Sequence, residues 1–252
     1  MHILDVRIDD MNKKHAIQEV AHFLSLPGQY KIFTPNPEMI VKAQKDEYFK
    51  QVLNSSDLNL CDGMGVRIFT GVKRVPGVDF MIELCQLAVE QGKRIYLLGS
   101  GNDEVVYKVF LKLLKKFPSL KISGYDKGPE INESLSTGQR SFTPPACGRQ
   151  VQDDSIEKIN KAQPDILFVA FGMGKQEKWI YENLTSMPSV KIAMGVGGSF
   201  DFISGKAKRA PLFLRQLGLE WLYRLVQEPR RFGRIFNATV KFCYLVLRSK
   251  LL

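Results

Sequence analysis

One repeating unit constrains this chain more than anything else in it. A short apolar run meets a turn rich in glycine or proline, and a stretch with helical periodicity follows. Ile3 to Ile8 reads as a short strand and Lys13 to Leu26 as a helix stopped by Pro27-Gly28. Tyr30-Lys-Ile-Phe33 then runs into Thr34-Pro-Asn-Pro37 and a helix from Glu38 to Ala43. Leu58 to Cys61 runs into Asp62-Gly-Met-Gly65 and a helix from about Val66, and Pro76-Gly77 opens a second helix over Asp79 to Glu90. Arg94 to Leu98 meets Gly99-Ser-Gly101 and a helix over Glu104 to Lys116, followed by a strand at Leu120 to Ser123. Ile156 to Ala162 reads as a helix, Asp165 to Ala170 as a buried strand, and Phe171-Gly-Met-Gly174 opens a helix over Lys175 to Leu184. Val190 to Met194 ends in Gly195-Val-Gly-Gly198. Strands alternating with helices to about residue 200 give a doubly wound, mostly parallel, Rossmann-like α/β sheet with helices on both faces. In such sheets ligands bind at the carboxyl ends of the strands.

The polar groups at those ends are therefore the candidate site. Asp62 sits on a tight turn between glycines that let backbone approach a ligand, or it caps the following helix. Thr34 and Asn36 are held on a rigid extended turn, or Asn36 is the N-cap and Pro37 the first helical residue. The turns at 99–101 and 195–198 can seat a diphosphate. Gly99-Ser-Gly101 lacks the third glycine of a dinucleotide fingerprint, because residue 104 is Glu. Between Gly124 and Asp154 the pattern dissolves into Gly, Pro, Ser, Thr and Asn, a surface loop long enough to be an insertion or a lid. His15 and His22 lie on one helix with no third ligand near in sequence, so they read as surface or packing residues rather than a metal site.

Composition matters chiefly at the carboxyl end. The chain of 252 residues carries a net charge of +10, yet eleven of its 36 basic residues and only two of its 26 acidic ones lie from Lys206 onward. Ala210-Pro211 marks a change to helical patterning, so residues 1–205 read as the α/β domain and 206–252 as a basic appendage. Leu212 to Leu217, Leu219 to Val226 and Ile235 to Leu252 are amphipathic, aromatic and basic. Such helices suit an anionic membrane interface, or they complete the core or an oligomer contact. No run is apolar enough to span a bilayer and the amino terminus is no signal peptide. Cys61, Cys85, Cys147 and Cys243 lack zinc spacing and suit a reducing, cytoplasmic setting.

Thr34-Pro-Asn-Pro-Glu38, Asp62-Gly-Met-Gly65, Gly77-Val-Asp79, Phe171-Gly-Met-Gly-Lys-Gln-Glu177, Val196 through Pro211, Gly218-Leu-Glu-Trp-Leu-Tyr-Arg224 and Glu228-Pro-Arg230 occur in this order. Together they resemble the WecG/TagA/CpsF family of bacterial glycosyltransferases over essentially the whole chain. The resemblance implies inverting transfer of a sugar from a UDP donor to a polyprenyl-diphosphate-linked saccharide, in surface-polysaccharide or cell-wall synthesis. It implies no metal and no cofactor. Asp62 would be the catalytic base. Thr34, Asn36, Asp79, Gly99, Gln176, Glu177, Gly197 and Gly198 would bind substrate. Arg209, Arg215, Arg224, Arg230, Arg231 and Arg234 of the appendage would hold the diphosphate. It further implies a peripheral protein on the inner face of the cytoplasmic membrane, able to self-associate. Met173 departs from the family, which usually has proline there. No motif fixes the sugar, whether N-acetylmannosamine, its uronic acid or glucose.

Two other classes compete. A nicotinamide-dependent oxidoreductase would use Leu98-Gly-Ser-Gly101 with Asp126 on the ribose, but the third glycine is missing. A nucleic-acid binder would use the basic tail, but the tail's apolar residues fall at helical spacing and it carries no recognition motif.

Overall fold

The computed structural model describes residues 1–129 and 154–251. Most of the Gly124–Asp154 loop, and with it any lid, therefore lies outside the described residues. Six parallel strands form one sheet: β3 (Tyr30–Phe33), β4 (Leu58–Asn59), β5 (Arg94–Gly99), β6 (Lys121–Asp126), β7 (Ile166–Ala170) and β8 (Ile192–Gly195). Their order is β4-β3-β8-β7-β5-β6. Alternate residues feed opposite faces, as the period of two requires. Ile32, Ile95, Leu97, Phe168 and Met194 face α1 (Lys13–Ser25), α5 (Gly77–Glu90) and α6 (Asp103–Lys116). Phe33, Tyr96, Leu98, Leu167 and Val169 face α2 (Pro37–Ala43), α3 (Glu47–Asn54) and α8 (Lys175–Asn183). The doubly wound α/β fold expected from the alternation is the fold observed.

Two local expectations are corrected. Ile3 to Ile8 is not a strand of this sheet. It is a tight antiparallel hairpin, β1 (His2–Ile3) and β2 (Val6–Arg7), turned by Leu4 at φ 48° and Asp5 at φ 60°. Two left-handed central residues match the right-handed twist of the flanking strands. Asp62 does not cap α4 (Met64–Thr70); Gly63 is its N-cap, with no side-chain hydrogen bond.

Asn36 does cap its helix, accepting from Met39 N at 3.0 Å, with Pro37 as the first helical residue. Helices α7 (Asp154–Ala162) and α9 (Ser199–Ser204) complete the domain. Beyond Pro211 come α10 (Leu212–Gln216), α11 (Glu220–Gln227), α12 (Phe232–Phe236), a π-helical turn (Asn237–Lys241) and α13 (Phe242–Leu251). Phe242 and Val246 are buried in the core beside α2 and α4, with the Phe242 ring edge-on to Phe69. The opposite side leaves Leu212, Phe213, Leu217, Val226, Val240 and Leu247 more than half exposed. Among the described residues no helix is long and apolar enough to cross a membrane.

Gly99 closes β5 at φ +123°, where a Cβ would lie 2.7–2.8 Å from the backbone of Ala170 on β7. Neither strand can move without breaking the ladder. Gly99→Ala should therefore destabilise the protein by roughly 2–4 kcal/mol, combining backbone strain and overpacking. Chemical denaturation would measure this, and a loss below the ±0.5 kcal/mol typical of surface changes would contradict it.

Candidate active site

Every strand of the main sheet sends its carboxyl-terminal tip to one open cavity of about 640 Å³. Thr34 and Asn36 follow β3, Asp62 follows β4, Ser100 and Gly101 follow β5, Pro129 follows β6, Phe171 and Gly172 follow β7, and Gly197 and Gly198 follow β8. Gln176 on α8 and the appendage residues Lys206, Arg224 and Arg234 close the walls. The turns thus converge, as a carboxyl-edge site requires.

Asp62 is recessed in this wall with 26% of its side chain exposed. Its Oδ2 accepts from Gly77 N at 3.2 Å, at the positive end of α5, and its Oδ1 lies 3.6 Å from Arg74 Nε. Burial raises its pKa above the ordinary aspartate value, while Arg74 and the Gly77 N–H oppose that rise. A Cβ on Gly77 would stand 3.1 Å from Thr34 Oγ1 and 3.7 Å from Asp62 Oδ2, so this glycine keeps the space between the two polar groups open.

Arg74, on the loop before α5, is shared. Its Nη2 donates to Glu220 Oε2 at 3.0 Å. Glu220 Oε1 in turn lies 3.5 Å from Arg209 Nε, and Arg209 donates through both terminal nitrogens to Asp79 at 2.6 and 2.9 Å. Five charges of alternating sign therefore run from Asp62 into the appendage. Arg74 sits in a loop without periodicity and Glu220 in the amphipathic stretch Leu219 to Val226, and only the fold brings them together beside Asp62.

The diphosphate candidates divide. Arg224 lies over the Phe202 ring at 4.9 Å with Nη2 close to Gly198, and Arg234 lines the cavity while binding Glu38 through two bonds of 2.7 and 3.1 Å. Arg209, Arg215 and Arg230 do not line the cavity. Arg209 is instead committed to Asp79, and this pairing takes Asp79 out of the cavity wall as well. The side chain of Arg231 lies outside the described residues. Gly99 also stays behind the wall, packed on Ala170, while its neighbours Ser100 and Gly101 reach it.

Glu177 is likewise behind the wall, 1% exposed. Its Oε2 accepts from Gly174 N at 2.7 Å and its Oε1 from Gln176 Nε2 at 2.7 Å. Gln176 Oε1 then accepts from Gly197 N at 2.9 Å. Glu177 thereby fixes the amide orientation of Gln176, and Gln176 fixes the turn after β8. The family resemblance implies that Glu177 binds substrate, but its side chain is buried and does not line the cavity. Its burial follows from the close approach of Gly195, where a Cβ would meet both side chains at 2.9–3.1 Å.

The fold and cavity define an α/β protein that takes its ligand at the carboxyl edge of a parallel sheet. The chain belongs to the glycosyl transferase WecG/TagA/CpsF family, which matches residues 1–252. It is 33% identical over 251 residues to the N-acetylglucosaminyldiphosphoundecaprenol N-acetyl-beta-D-mannosaminyltransferase of Bacillus subtilis strain 168, covering 96% of this chain and 86% of that protein. It is 26% identical over 256 residues to the protein of the same name in Staphylococcus aureus strain MW2, covering 98% and 92%. The oxidoreductase and nucleic-acid readings find no support. Asp126, the would-be ribose partner, is held by Gly128 N at 2.7 Å and by Lys158, and it does not line the cavity.

Burial pushes the Glu177 carboxyl up to about 7 from an ordinary 4.5, against the Gln176 and backbone N–H groups that favour its anion. Between those two values the folded chain binds the extra proton and the unfolded chain does not, so raising pH favours unfolding there. Stability from this group should be complete below about 4.5 and lost as pH rises through about 7. Urea denaturation at a series of pH values should show the slope in the native protein and a flatter profile in Glu177→Gln. Equal slopes would remove Glu177 as its source.

Proposed function

We propose that the chain transfers a sugar from a UDP donor to a saccharide carried on polyprenyl diphosphate, with inversion at the anomeric carbon. The relatives' names point to N-acetylmannosamine as the sugar and to N-acetylglucosamine on the lipid diphosphate as the acceptor. The observation that carries the reading is Asp62: a recessed carboxylate opening on a cavity that also holds two glycine turns and the guanidinium groups of Arg224 and Arg234.

The acceptor hydroxyl passes its proton to Asp62 as its oxygen bonds to the anomeric carbon. The bond from that carbon to the diphosphate oxygen breaks on the opposite face, and UDP departs with the electron pair. Raised basicity suits Asp62 to this task, since a carboxylate of ordinary pKa is a weaker proton acceptor near neutrality. The leaving diphosphate meets the N–H of Gly198 with Arg224 and Lys206 beside it. Gln176, locked by Glu177, orients the sugar.

The acceptor's tail stays in a bilayer, so the cavity must come to the interface. The exposed apolar residues of α10 to α13, interleaved with arginine and lysine, supply a surface suited to a headgroup layer. The chain would then work as a peripheral protein on the cytoplasmic side, where the nucleotide-sugar donor is found.

Asp62→Asn should lower kcat by ~10²–10⁴ while the thermal shift given by UDP persists. The acidic limb of the native pH–rate profile should lie above that of an ordinary aspartate and vanish in the variant. Undiminished turnover in Asp62→Asn would reject the base assignment, and stabilisation by NAD but not UDP would reject the donor. A second test addresses the membrane. Leu217→Glu with Val226→Glu, both on the exposed side, should abolish sedimentation with anionic vesicles at unchanged melting temperature. Retained sedimentation would place the contact elsewhere.

A further inference from the structure

A second cavity, of about 360 Å³, lies between α2 and the π-helical turn of the appendage and shares Glu38 and Met173 with the first. Its charged lining is Glu38, Lys42, Lys45, Asp46 and Lys241, with Asn237 beside them. Both acids are already engaged from outside it. Glu38 is bound by Arg234 through two hydrogen bonds, and Asp46 takes Lys178 Nζ at 2.7 Å and Phe49 N at 2.9 Å. Lys42 acts on the buried Glu177 carboxylate, whose pKa it lowers, but it makes no ion pair with it. Among the described residues none of the three lysines has a carboxylate within ion-pair distance. Lys42 Nζ sits over the Phe49 ring at 5.8 Å and against Gly174, where a Cβ would meet it at 2.8 Å. Lys45 and Lys241 line the cavity together, and the neighbouring Lys45 pushes the Lys241 pKa below the ordinary lysine value.

Like charges brought together with no acid between them raise the energy of the folded chain unless an anion joins them. Lysine ammonium groups at the wall of a pocket are point-charge partners for phosphate. The helix that carries Lys241 also exposes Phe236, Val240, Tyr244 and Leu247. The same segment therefore carries both a cavity-lining cation and exposed apolar side chains.

We propose that Lys42, Lys45 and Lys241 form a binding site for a phosphate group borne on a lipid, distinct from the cavity at Asp62 and adjoining it through Glu38 and Met173. The phosphate belongs to an anionic phospholipid headgroup or to the diphosphate of the polyprenyl acceptor. The chemistry is the same for both, and the site would hold the lipid end while the saccharide reaches Asp62. The second source rests on the glycosyl-transfer reading above; the first does not.

The test uses the full chain and its Lys45→Gln/Lys241→Gln variant, with Lys115→Gln/Lys116→Gln on exposed turns of α6 as a control of equal charge change. Binding is measured to phosphatidylcholine vesicles, to the same vesicles with phosphatidylglycerol, and to the same vesicles with polyprenyl diphosphate. The site variant should bind the anionic vesicles about 25-fold more weakly, about fivefold per lysine removed. It should bind neutral vesicles as the native chain does and melt no lower. The control should bind like the native protein. Loss on both anionic vesicles assigns the site to headgroups in general, and loss confined to polyprenyl diphosphate assigns it to the acceptor. Native-like binding by the site variant, or an equal loss in the control, overturns the proposal. A UDP thermal shift in parallel keeps the two readings apart. Its absence in the native chain counts against the donor assignment and leaves the headgroup result standing.

Discussion

The contact on which the site depends is the guanidinium of Arg74, held between two carboxylates that come from different parts of the chain. Asp62 belongs to the sheet and Glu220 to the appendage. Removing a carboxylate from water costs several kcal/mol unless opposite charge compensates it. Arg74 supplies that compensation for both acids. Burial raises the Asp62 pKa, and the Arg74 guanidinium acts against that rise. Sharing with Glu220 sets a middle course, and Glu220 itself acts to raise the Asp62 pKa. Glu220 of α11 thus contributes to the proton affinity of the acid. Arg209 and Asp79 extend the same chain of charges to the start of α5, whose first N–H already binds Asp62.

Much of this was legible in the sequence, for a definite reason. A strand ending in a glycine or proline turn is a local event, so Thr34, Asn36, Asp62, Gly197 and Gly198 could be placed at strand tips without knowing how the strands order themselves. Gln176, in the first turn of a helix opened by such a turn, follows the same logic. The doubly wound architecture needed only the alternation of elements. What stayed hidden is what tertiary packing decides. Arg209 reads from sequence as one more cation for a diphosphate, but its fork geometry matches Asp79, 130 positions away. Glu177 is expected from the resemblance to bind substrate, but Gly195 brings a strand close enough to bury it behind the cavity wall. Arg74 sits in a loop with no pattern at all. At the amino terminus, weak alternation over Ile3 to Ile8 is as compatible with a two-residue turn as with a strand, and only the left-handed conformation of Leu4 and Asp5 separates them.

The appendage was read as either a membrane helix or a packing helix, and the structure shows one element with two unlike faces. Phe242 and Val246 enter the core, where burying a side chain of that size contributes roughly 1.5–3 kcal/mol. Arg234 reaches Glu38 at the start of α2 from the same segment. These two anchors are eight residues apart. On a regular helix, at about 100° per residue, they would point some 80° apart, near the two edges of one broad face. The π-helical turn at Asn237–Lys241 lies between them. Such a turn absorbs one extra residue, which brings the anchors to within about 20° of a common face. Lys241 of that turn lines the second cavity together with Lys45, while Val240 and Tyr244 are exposed. The appendage therefore grips the domain through an aromatic and an arginine and keeps an apolar face exposed on the other side.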